Sequence, residues 1–245
     1  MEVKLLYPLL GHDVLNILYS ACRQCYYSGY VGDKFPFNDV SYEKKAELIE
    51  RVTKSGHHSV LEHVAFTFAI KDLSRVAQQQ LTRHRLGVSY SIQSMRYCLV
   101  DDMGYYTPDS IKKNSEILDE YNEIINRAVE FYQKNTEDNS VPREDARGIL
   151  PLNWNSNIVM TMNCRELLHF FNERLCTNAQ KEIRELAQKM LFLCNEILPE
   201  VFSAAGPKCK TLGYCNEGKR SCHKYPLRED VFKIYNQFKD FKEEK

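Results

Sequence analysis

Residues 82–97 read TRHRLGVSYSIQSMRY. This stretch holds the densest group of anion-binding and hydrogen-bonding side chains in the chain. Arg83, His84 and Arg85 are predicted to close a helix, and the residues that follow supply hydroxyls, an amide and Arg96. Guanidinium groups form charge-assisted and often bidentate hydrogen bonds with phosphate. The stretch therefore predicts a binding site for a phosphate-bearing ligand.

The residues before this stretch predict an amphipathic helix that runs up to His84. At 100° per residue, Gln80 and His84 share one face with the apolar residues Leu73, Val76, Ala77 and Leu81. An inward amide and imidazole need hydrogen-bond partners, which a bound anion would supply. The alternative is a solvated helix end, where Arg83 and Arg85 complement the helix dipole and His84 is a satisfied core histidine.

The whole string resembles the signature of the flavin-dependent thymidylate synthases. That signature is Arg-His-Arg, seven or eight residues, then Ser, and here eight residues separate Arg85 from Ser94, with Arg96 and Tyr97 following. Upstream, GHHSVLEH at residues 56–63 and the predicted strand at residues 64–68 match the same family in order and spacing. Further matches at Arg147 and over residues 163–180 extend the resemblance across most of the chain.

The resemblance implies an enzyme that converts deoxyuridine monophosphate to thymidylate. Methylenetetrahydrofolate would donate the carbon, NADPH would be the reductant and FAD the bound cofactor. The resemblance also implies a homotetramer. The element pattern predicts one α+β domain over residues 1–245, in which helices surround a twisted, largely antiparallel sheet. The rivals are a non-catalytic flavin- or nucleotide-binding sensor and a nucleic-acid-binding protein.

The resemblance assigns roles to individual residues. The nucleotide would contact Gln80, Arg83, Gln93, Ser94, Arg96, Arg147 and Arg174. FAD would contact Ser59, Arg83, His84, Arg85, Asn163, Arg165 and His169, with His57 and Glu62 nearby. Arg174 is the catalytic candidate, because a fixed guanidinium can stabilise negative charge on the uracil ring and so make C5 nucleophilic. No metal is expected. Some members of the family have a carboxylate at the position of Ile92. Gln93 is assigned because its side chain can take over the polar role of that carboxylate.

Composition excludes several other classes. With 245 residues, 43% of them hydrophobic, the chain can bury a sizeable core, and its net charge of zero provides no basic field for nucleic acid or a membrane surface. No apolar run approaches the roughly 20 residues of a membrane-spanning helix, and the first ten residues lack a signal-peptide pattern. The chain is therefore expected to be cytoplasmic, with its nine cysteines reduced.

Two groups of cysteines raise the question of redox or zinc chemistry. Cys22 and Cys25 are predicted to face inward on one helix, where ordinary core cysteines are the favoured interpretation. Residues 204–225 carry Cys209, Cys215 and Cys222 beside His223, without the paired Cys-x-x-Cys spacing of a zinc knuckle. A loop of reduced thiols is the expectation there.

Periodicity predicts the remaining elements. The strands are expected at residues 3–10, 64–71 and 158–162. The helices are expected from residue 11 or 13 to about 25, and at residues 41–55, 110–135, 142–147, from 163 through the matched segment, 179–198 and 228–243. The helix that begins at Asn163 poses a geometric problem, because Arg165 and Arg174 point in opposite directions on a straight helix. Either that helix ends before Arg174, or the two arginines serve different active sites built between subunits. The second alternative is favoured, because residues 167–175 keep helical phase and Arg174 would otherwise place a charge on an apolar face.

Overall fold

The computed structural model of the protein describes residues 1–6, 10–98, 104–137 and 140–234. The chain divides into two compact units. The sheet unit comprises Met1–Leu6, Thr67–Arg85 and Ser89–Thr161, and the helical unit comprises Tyr7–Phe66, Leu86–Val88 and Met162–Lys245. A single domain over residues 1–245 stays a prediction.

The strands are β1 (Glu2–Leu5), β2 (Ala65–Ser74), β3 (Val88–Ile92) and β4 (Asn155–Asn163). The helices are α1 (Gly11–Gln24), α2 (Tyr42–Lys54), α3 (Arg75–Leu81), α4 (Asp109–Lys112), α5 (Ser115–Glu137), α6 (Arg143–Ala146), α7 (Cys164–Arg174), α8 (Lys181–Ile197), α9 (Pro199–Phe202) and α10 (Lys208–Leu212). Short 3₁₀ turns cover Val31–Asp33, His58–His63, Arg147–Ile149 and Gly218–Arg220.

The four described strands form one antiparallel sheet in the order β1-β2-β4-β3. Strand β1 pairs with β2 so that Glu2 lies opposite Lys71 and Leu5 opposite Phe68. Buried residues alternate along β2 and β4, as expected for strands with one face on a core. The predicted α+β class with an antiparallel sheet is therefore confirmed. Strand β3 lies in a stretch whose backbone the sequence left open.

Helix α5 supplies the core of the sheet unit and corrects a prediction. Its buried residues Ile125 and Tyr132 pack with Met95, Ala146 and Trp154. The single predicted helix over residues 110–135 is two helices, α4 and α5. Periodicity predicts an inward apolar stripe of Ile117, Tyr121, Ile124, Ala128 and Phe131. Tyr121 does pack against the core, but Ile117, Ile124 and Phe131 are 49%, 62% and 51% exposed, so the stripe is not the buried face.

The helical unit is built around α1, α2 and the helices that follow β4. Three rings form its centre: Phe202 lies edge-on to Phe66 at 5.7 Å and to Phe171 at 5.9 Å between ring centroids. Cys22 is buried on α1, but Cys25 caps the helix and is exposed, so its predicted inward position is wrong.

The predicted terminal helix begins as expected, since residues 228–234 are helical. Ile234 is 55% exposed rather than inward. The other large apolar residues predicted to line that helix beyond this point lie outside the described residues. Within the parts of the chain that the structure describes, no helix is both long and apolar enough to cross a membrane.

Candidate active site

The Arg-His-Arg motif lies in a turn between α3 and β3. The side chain of Ser74 caps the start of α3 by accepting a hydrogen bond from the amide of Ala77 at 3.1 Å. Helix α3 ends at Leu81, so the expectation that the motif closes the helix is wrong. Arg83 and Arg85 are exposed, whereas His84 is buried. The predicted inward position of His84 is thus confirmed, although it follows the helix.

A tyrosine holds this turn in place. The hydroxyl of Tyr90, on β3, donates to the carbonyl of Leu81 at 2.8 Å, and lies 3.0 Å from the carbonyl of His84. The amide of His84 donates to the same Leu81 carbonyl at 3.1 Å. These contacts satisfy carbonyls that a helix end leaves without intrahelical partners. The backbone between Arg83 and Arg85 is therefore anchored while the two arginine side chains stay accessible.

Contacts at Glu144 and Arg147 link three arginines of the sheet unit. Arg96 forms a salt bridge to Glu144 at 2.7 Å, and the Nε of Arg147 donates to the Glu144 carbonyl oxygen at 3.1 Å. Burial, and next the charge of nearby Arg147, lower the pKa of Arg75. The buried Nε of Arg75 has no hydrogen-bond partner among the described residues. Two cations close together, one with an orphaned donor, fit an anionic ligand such as phosphate.

The polar residues predicted beside these arginines also lie in the sheet unit. The Ser94 hydroxyl accepts a hydrogen bond from the amide of Arg96 at 3.3 Å. The main-chain amide of Gln93 donates to the main-chain carbonyl of Asn157 at 2.9 Å. This bond fixes Gln93 at the end of β3. Its buried side-chain oxygen has no hydrogen-bond partner among the described residues. Gln80 is half-buried on α3.

Asn163 organises the predicted cofactor residues of the helical unit. Its side chain accepts a hydrogen bond from the amide of Glu166 at 2.9 Å, so the predicted helix cap is confirmed. The main-chain amide of Asn163 donates to the carbonyl of Gly87 at 2.9 Å. Gly87 has a φ of +64°, and a Cβ there would lie 2.3 Å from the Asn163 side-chain nitrogen. Only glycine fits this approach without movement.

An exposed ion pair joins two more of these residues. Arg165, in the first turn of α7, pairs with Glu62 of the 3₁₀ turn His58–His63. Ser59 lies on the same turn, which packs against α7. His57 precedes the turn, and both His57 and His169 are exposed. The helical unit thus brings Glu62, Arg165 and the cap of α7 together on accessible surface.

Helix α7 settles one of the two alternatives for its arginines. It runs from Cys164 through Arg174, so the alternative in which the helix ends before Arg174 is wrong. Arg174 lies nine positions after Arg165, which places the two residues about 180° apart around the axis. The two guanidinium groups therefore leave the helix on opposite sides.

Arg75 and Glu144 are the functional candidates that sequence reasoning missed. Arginines were assigned only at positions that matched the family, and Arg75 is not one of those positions. The sequence did contain a signal for Arg75. This residue directly follows the strand and the helix-capping Ser74, and it is the first residue of the helix that leads to the Arg-His-Arg motif. Nothing comparable in the sequence marks Glu144, which is exposed on α6.

Comparison with known proteins decides the family. A sequence model described as thymidylate synthase complementing protein matches residues 9–200. A flavin-dependent thymidylate synthase of Nitratidesulfovibrio vulgaris is 43% identical over 236 residues, covering 91% of this chain and 96% of the relative. The chain belongs to the flavin-dependent thymidylate synthase family.

Other flavin-dependent thymidylate synthases agree. That of Geobacter sulfurreducens is 40% identical over 83% of this chain and 87% of its own length. That of Clostridium tetani is 36% identical over 90% of this chain and 92% of its own length. Every site residue predicted from the flavin-dependent thymidylate synthase signature falls within residues 9–200, whereas Cys209, Cys215 and Cys222 fall outside them.

Proposed function

We propose that the chain catalyses the reductive methylation of deoxyuridine monophosphate to thymidylate, with FAD as cofactor, methylenetetrahydrofolate as carbon donor and NADPH as reductant. Membership of the family makes it a flavin-dependent enzyme of thymidylate synthesis. The observation that carries the substrate proposal is the arginine group of the sheet unit. The carboxylate of Glu144 pairs with Arg96, while Arg75 and Arg147 place two positive charges close together. A phosphate monoester would offset the remaining positive charge.

The proposed roles follow from the chemistry of each side chain. Arg147 and Arg75 bind the phosphate of the nucleotide, and the Ser94 hydroxyl orients it. The side-chain oxygen of Gln93 accepts a hydrogen bond from the ligand. Arg174 stabilises negative charge on the uracil ring, which makes C5 nucleophilic. The chemistry that flavin supplies when bound is hydride transfer to the incoming carbon.

The residues of the helical unit fit an anionic, extended cofactor. The chain has no Gly-x-Gly-x-x-Gly loop, so side chains must hold the flavin. Arg165 and Ser59 offer donors on accessible surface, and Glu62 accepts from Arg165. Arg83, His84 and Arg85 complete the proposed set. A guanidinium paired with an exposed carboxylate can exchange that partner for a phosphate at little cost, because exposed ion pairs contribute about 0–1 kcal/mol.

Three buried cysteines are unsuited to act as a thiol nucleophile. Burial raises the pKa of Cys22 to about 11, and it also raises the pKa values of Cys164 and Cys194. At neutral pH these three thiols stay protonated, and a protonated thiol is a poor nucleophile. For these three residues, this agrees with a reaction in which flavin does the chemistry that an enzyme thiolate would otherwise do.

Colour and turnover together test the proposal. Purified protein should be yellow, bleach on addition of NADPH, and regain colour when deoxyuridine monophosphate and methylenetetrahydrofolate are supplied, with thymidylate as product. The rival is a flavin- or nucleotide-binding sensor. Tight binding of both ligands without any thymidylate would favour that rival and overturn the enzymatic proposal.

We also propose a homotetramer in which different subunits supply Arg165 and Arg174 to one site. Two observations support it: the opposite directions of these arginines on α7, and the half-exposed apolar stripe Ile117, Ile124 and Phe131 on α5. Such a stripe is typical of an interaction surface. Mixing inactive Arg165→Ala and Arg174→Ala chains should regenerate some turnover. No recovery in demonstrably mixed oligomers would place both arginines in one subunit's site.

A further inference from the structure

Four cysteines of the helical unit line one cavity of about 150 Å³. Cys176 lies in the loop that follows α7, and Cys209, Cys215 and Cys222 lie in the segment after α9. The segment cysteines fall outside the residues that the family model matches, and none of the four belongs to the nucleotide or flavin residues assigned above. The proposed reaction therefore leaves this cluster without a role.

The segment of residues 208–227 has almost no hydrophobic core of its own. Cys215 is its one buried residue, at 7% exposure, and its aromatic residues Tyr214 and Tyr225 are half-buried. Its backbone is nevertheless sharply folded, with positive φ at Gly213, Gly218 and His223. Segments that bury so little apolar surface are usually held by a metal ion or by disulfides.

Backbone contacts already bring the ends of the segment together. The amide of Cys215 donates to the carbonyl of Pro226 at 2.7 Å, and the amide of Arg228 donates to the carbonyl of Cys215 at 3.1 Å. Across the cavity, the side-chain amide of Asn178 donates to Glu217 at 2.9 Å and to the carbonyl of Arg220 at 3.1 Å. The segment is thus tied to the loop that carries Cys176, with the four thiols between the two.

The segment is basic as a whole, although the cavity lining itself carries charges of both signs. Residues 207–228 contain six basic side chains and one acidic side chain, in a chain whose net charge is zero. The cavity lining includes Glu173 and Glu217 as well as Lys208 and Lys224. The positive excess of the segment suits an anionic centre such as a metal ion held by thiolates.

We propose that Cys176, Cys209, Cys215 and Cys222 bind one zinc ion through four thiolates, and that this ion fastens the segment 208–227 to the end of α7. Zinc with four thiolate ligands carries a net charge of −2, which the surrounding basic side chains offset. Among the described residues, no three of these sulfur atoms lie within 4.8 Å of one another. A Zn–S bond of about 2.3 Å implies sulfurs roughly 3.8 Å apart. Binding therefore draws the thiols inward and orders the segment, as metal binding coupled to folding does.

Cobalt titration tests the ligand set directly. The full chain, freed of metal with a chelator and kept reduced under anaerobic conditions, should bind one Co²⁺ per chain with the intense visible absorption of a tetrahedral thiolate site. Zinc should then displace the cobalt. Cys209→Ser and Cys222→Ser should each weaken Co²⁺ binding at least tenfold. Cys25→Ser and His223→Ala are the matched controls and should bind as the unchanged chain does.

Three results of these experiments would overturn the proposal, and a fourth comes from the absorption spectrum of the protein as purified. They are the absence of stoichiometric tetrahedral cobalt, equal binding by the cluster variants and the controls, and a Cys209–Cys215 disulfide in protein prepared under reducing conditions. An iron–sulfur absorption spectrum in place of bound zinc would also overturn it.

A second measurement covers variants that fail to fold. In the unchanged chain, adding zinc should slow amide exchange in residues 208–227 while exchange in α5 stays unchanged. Equal exchange with and without zinc would contradict the proposal. Neither readout depends on thymidylate synthesis, so the zinc site and the proposed function stand or fall separately.

Discussion

The two units present their arginines in different states of charge balance. In the sheet unit, Arg75 and Arg147 are close enough for the charge of one to lower the pKa of the other, and an Arg75 nitrogen is buried without a hydrogen-bond partner among the described residues. In the helical unit, Arg165 is exposed and already paired with Glu62. An anion bound beside Arg75 and Arg147 would relieve the repulsion between these two cations. Arg165, in contrast, must release Glu62 before it can bind another anion.

This difference implies different ligand affinities. Relief of repulsion adds to the attraction of a bound phosphate, so Arg75 and Arg147 should contribute strongly to nucleotide binding. Exchange of one carboxylate for another anion yields only the difference between two similar interactions. We therefore expect single substitutions to weaken nucleotide binding more than flavin binding.

Arg83→Ala should have the largest effect, because Arg83 is assigned to both ligands. It is also the exception to the difference between nucleotide and flavin binding, since both affinities should fall. Loss of charge-assisted hydrogen bonds of about 1.5–3 kcal/mol each predicts roughly 10- to 100-fold weaker binding of both FAD and deoxyuridine monophosphate. Because Arg83 is exposed, the free energy of unfolding should change by less than about 0.5 kcal/mol. Titration of each ligand checks the result, and unchanged affinities would remove the motif from the site.

Arg147→Ala should weaken nucleotide binding by roughly 10- to 100-fold while leaving FAD affinity unchanged. The substitution removes one of the two guanidinium groups whose proximity marks the phosphate site. Arg127→Ala, an exposed arginine of α5, is the matched control and should leave both affinities as they are. Isothermal titration separates the two ligands. If Arg147→Ala behaves like the control, the phosphate does not bind beside Arg75.

Some of these features could be predicted from the sequence, and others could not. Local patterns predicted the cap at Asn163, the strand β4 and the inward position of His84, because each depends on a few neighbouring residues. The pairing of Arg96 with Glu144 and the approach of Arg75 to Arg147 depend on how distant segments fold. Periodicity also failed on α5, where two apolar stripes compete and only the packed structure shows which one is buried. Strand β3 was missed although Val88, Tyr90 and Ile92 alternate with serines.

Arg165→Ala should weaken FAD binding by severalfold to about tenfold, less than the effects above, because the gain comes from exchanging partners. Glu62→Gln removes the competing carboxylate and should strengthen FAD binding slightly. Both residues are about half exposed, so neither change should alter the free energy of unfolding by more than about 1 kcal/mol. Flavin fluorescence titration measures the affinities. A loss in Glu62→Gln as large as that in Arg165→Ala would show that Glu62 itself contacts the flavin.

The smallest effects concern the scaffold of the helical unit and are measured by urea unfolding. Asn163→Ala should lower the free energy of unfolding by about 1 kcal/mol through loss of the helix cap. Gly87→Ala should cost about 1–2 kcal/mol, because it places a Cβ at positive φ against Asn163. The double variant should lose less than the sum, since one change removes the atoms that the other meets. Strict additivity would mean that only the backbone strain at Gly87 matters.

If the half-exposed stripe on α5 is buried between subunits, as proposed above, protein concentration becomes a variable of this enzyme. Ile117, Ile124 and Phe131 follow one another at seven-residue intervals, so they form a continuous line along the helix. Burying such a line between subunits links assembly to the melting temperature by mass action. On dilution, the chain should then melt at a lower temperature and lose specific activity in parallel. A cell that makes little of the protein would gain less activity per chain than one that makes much.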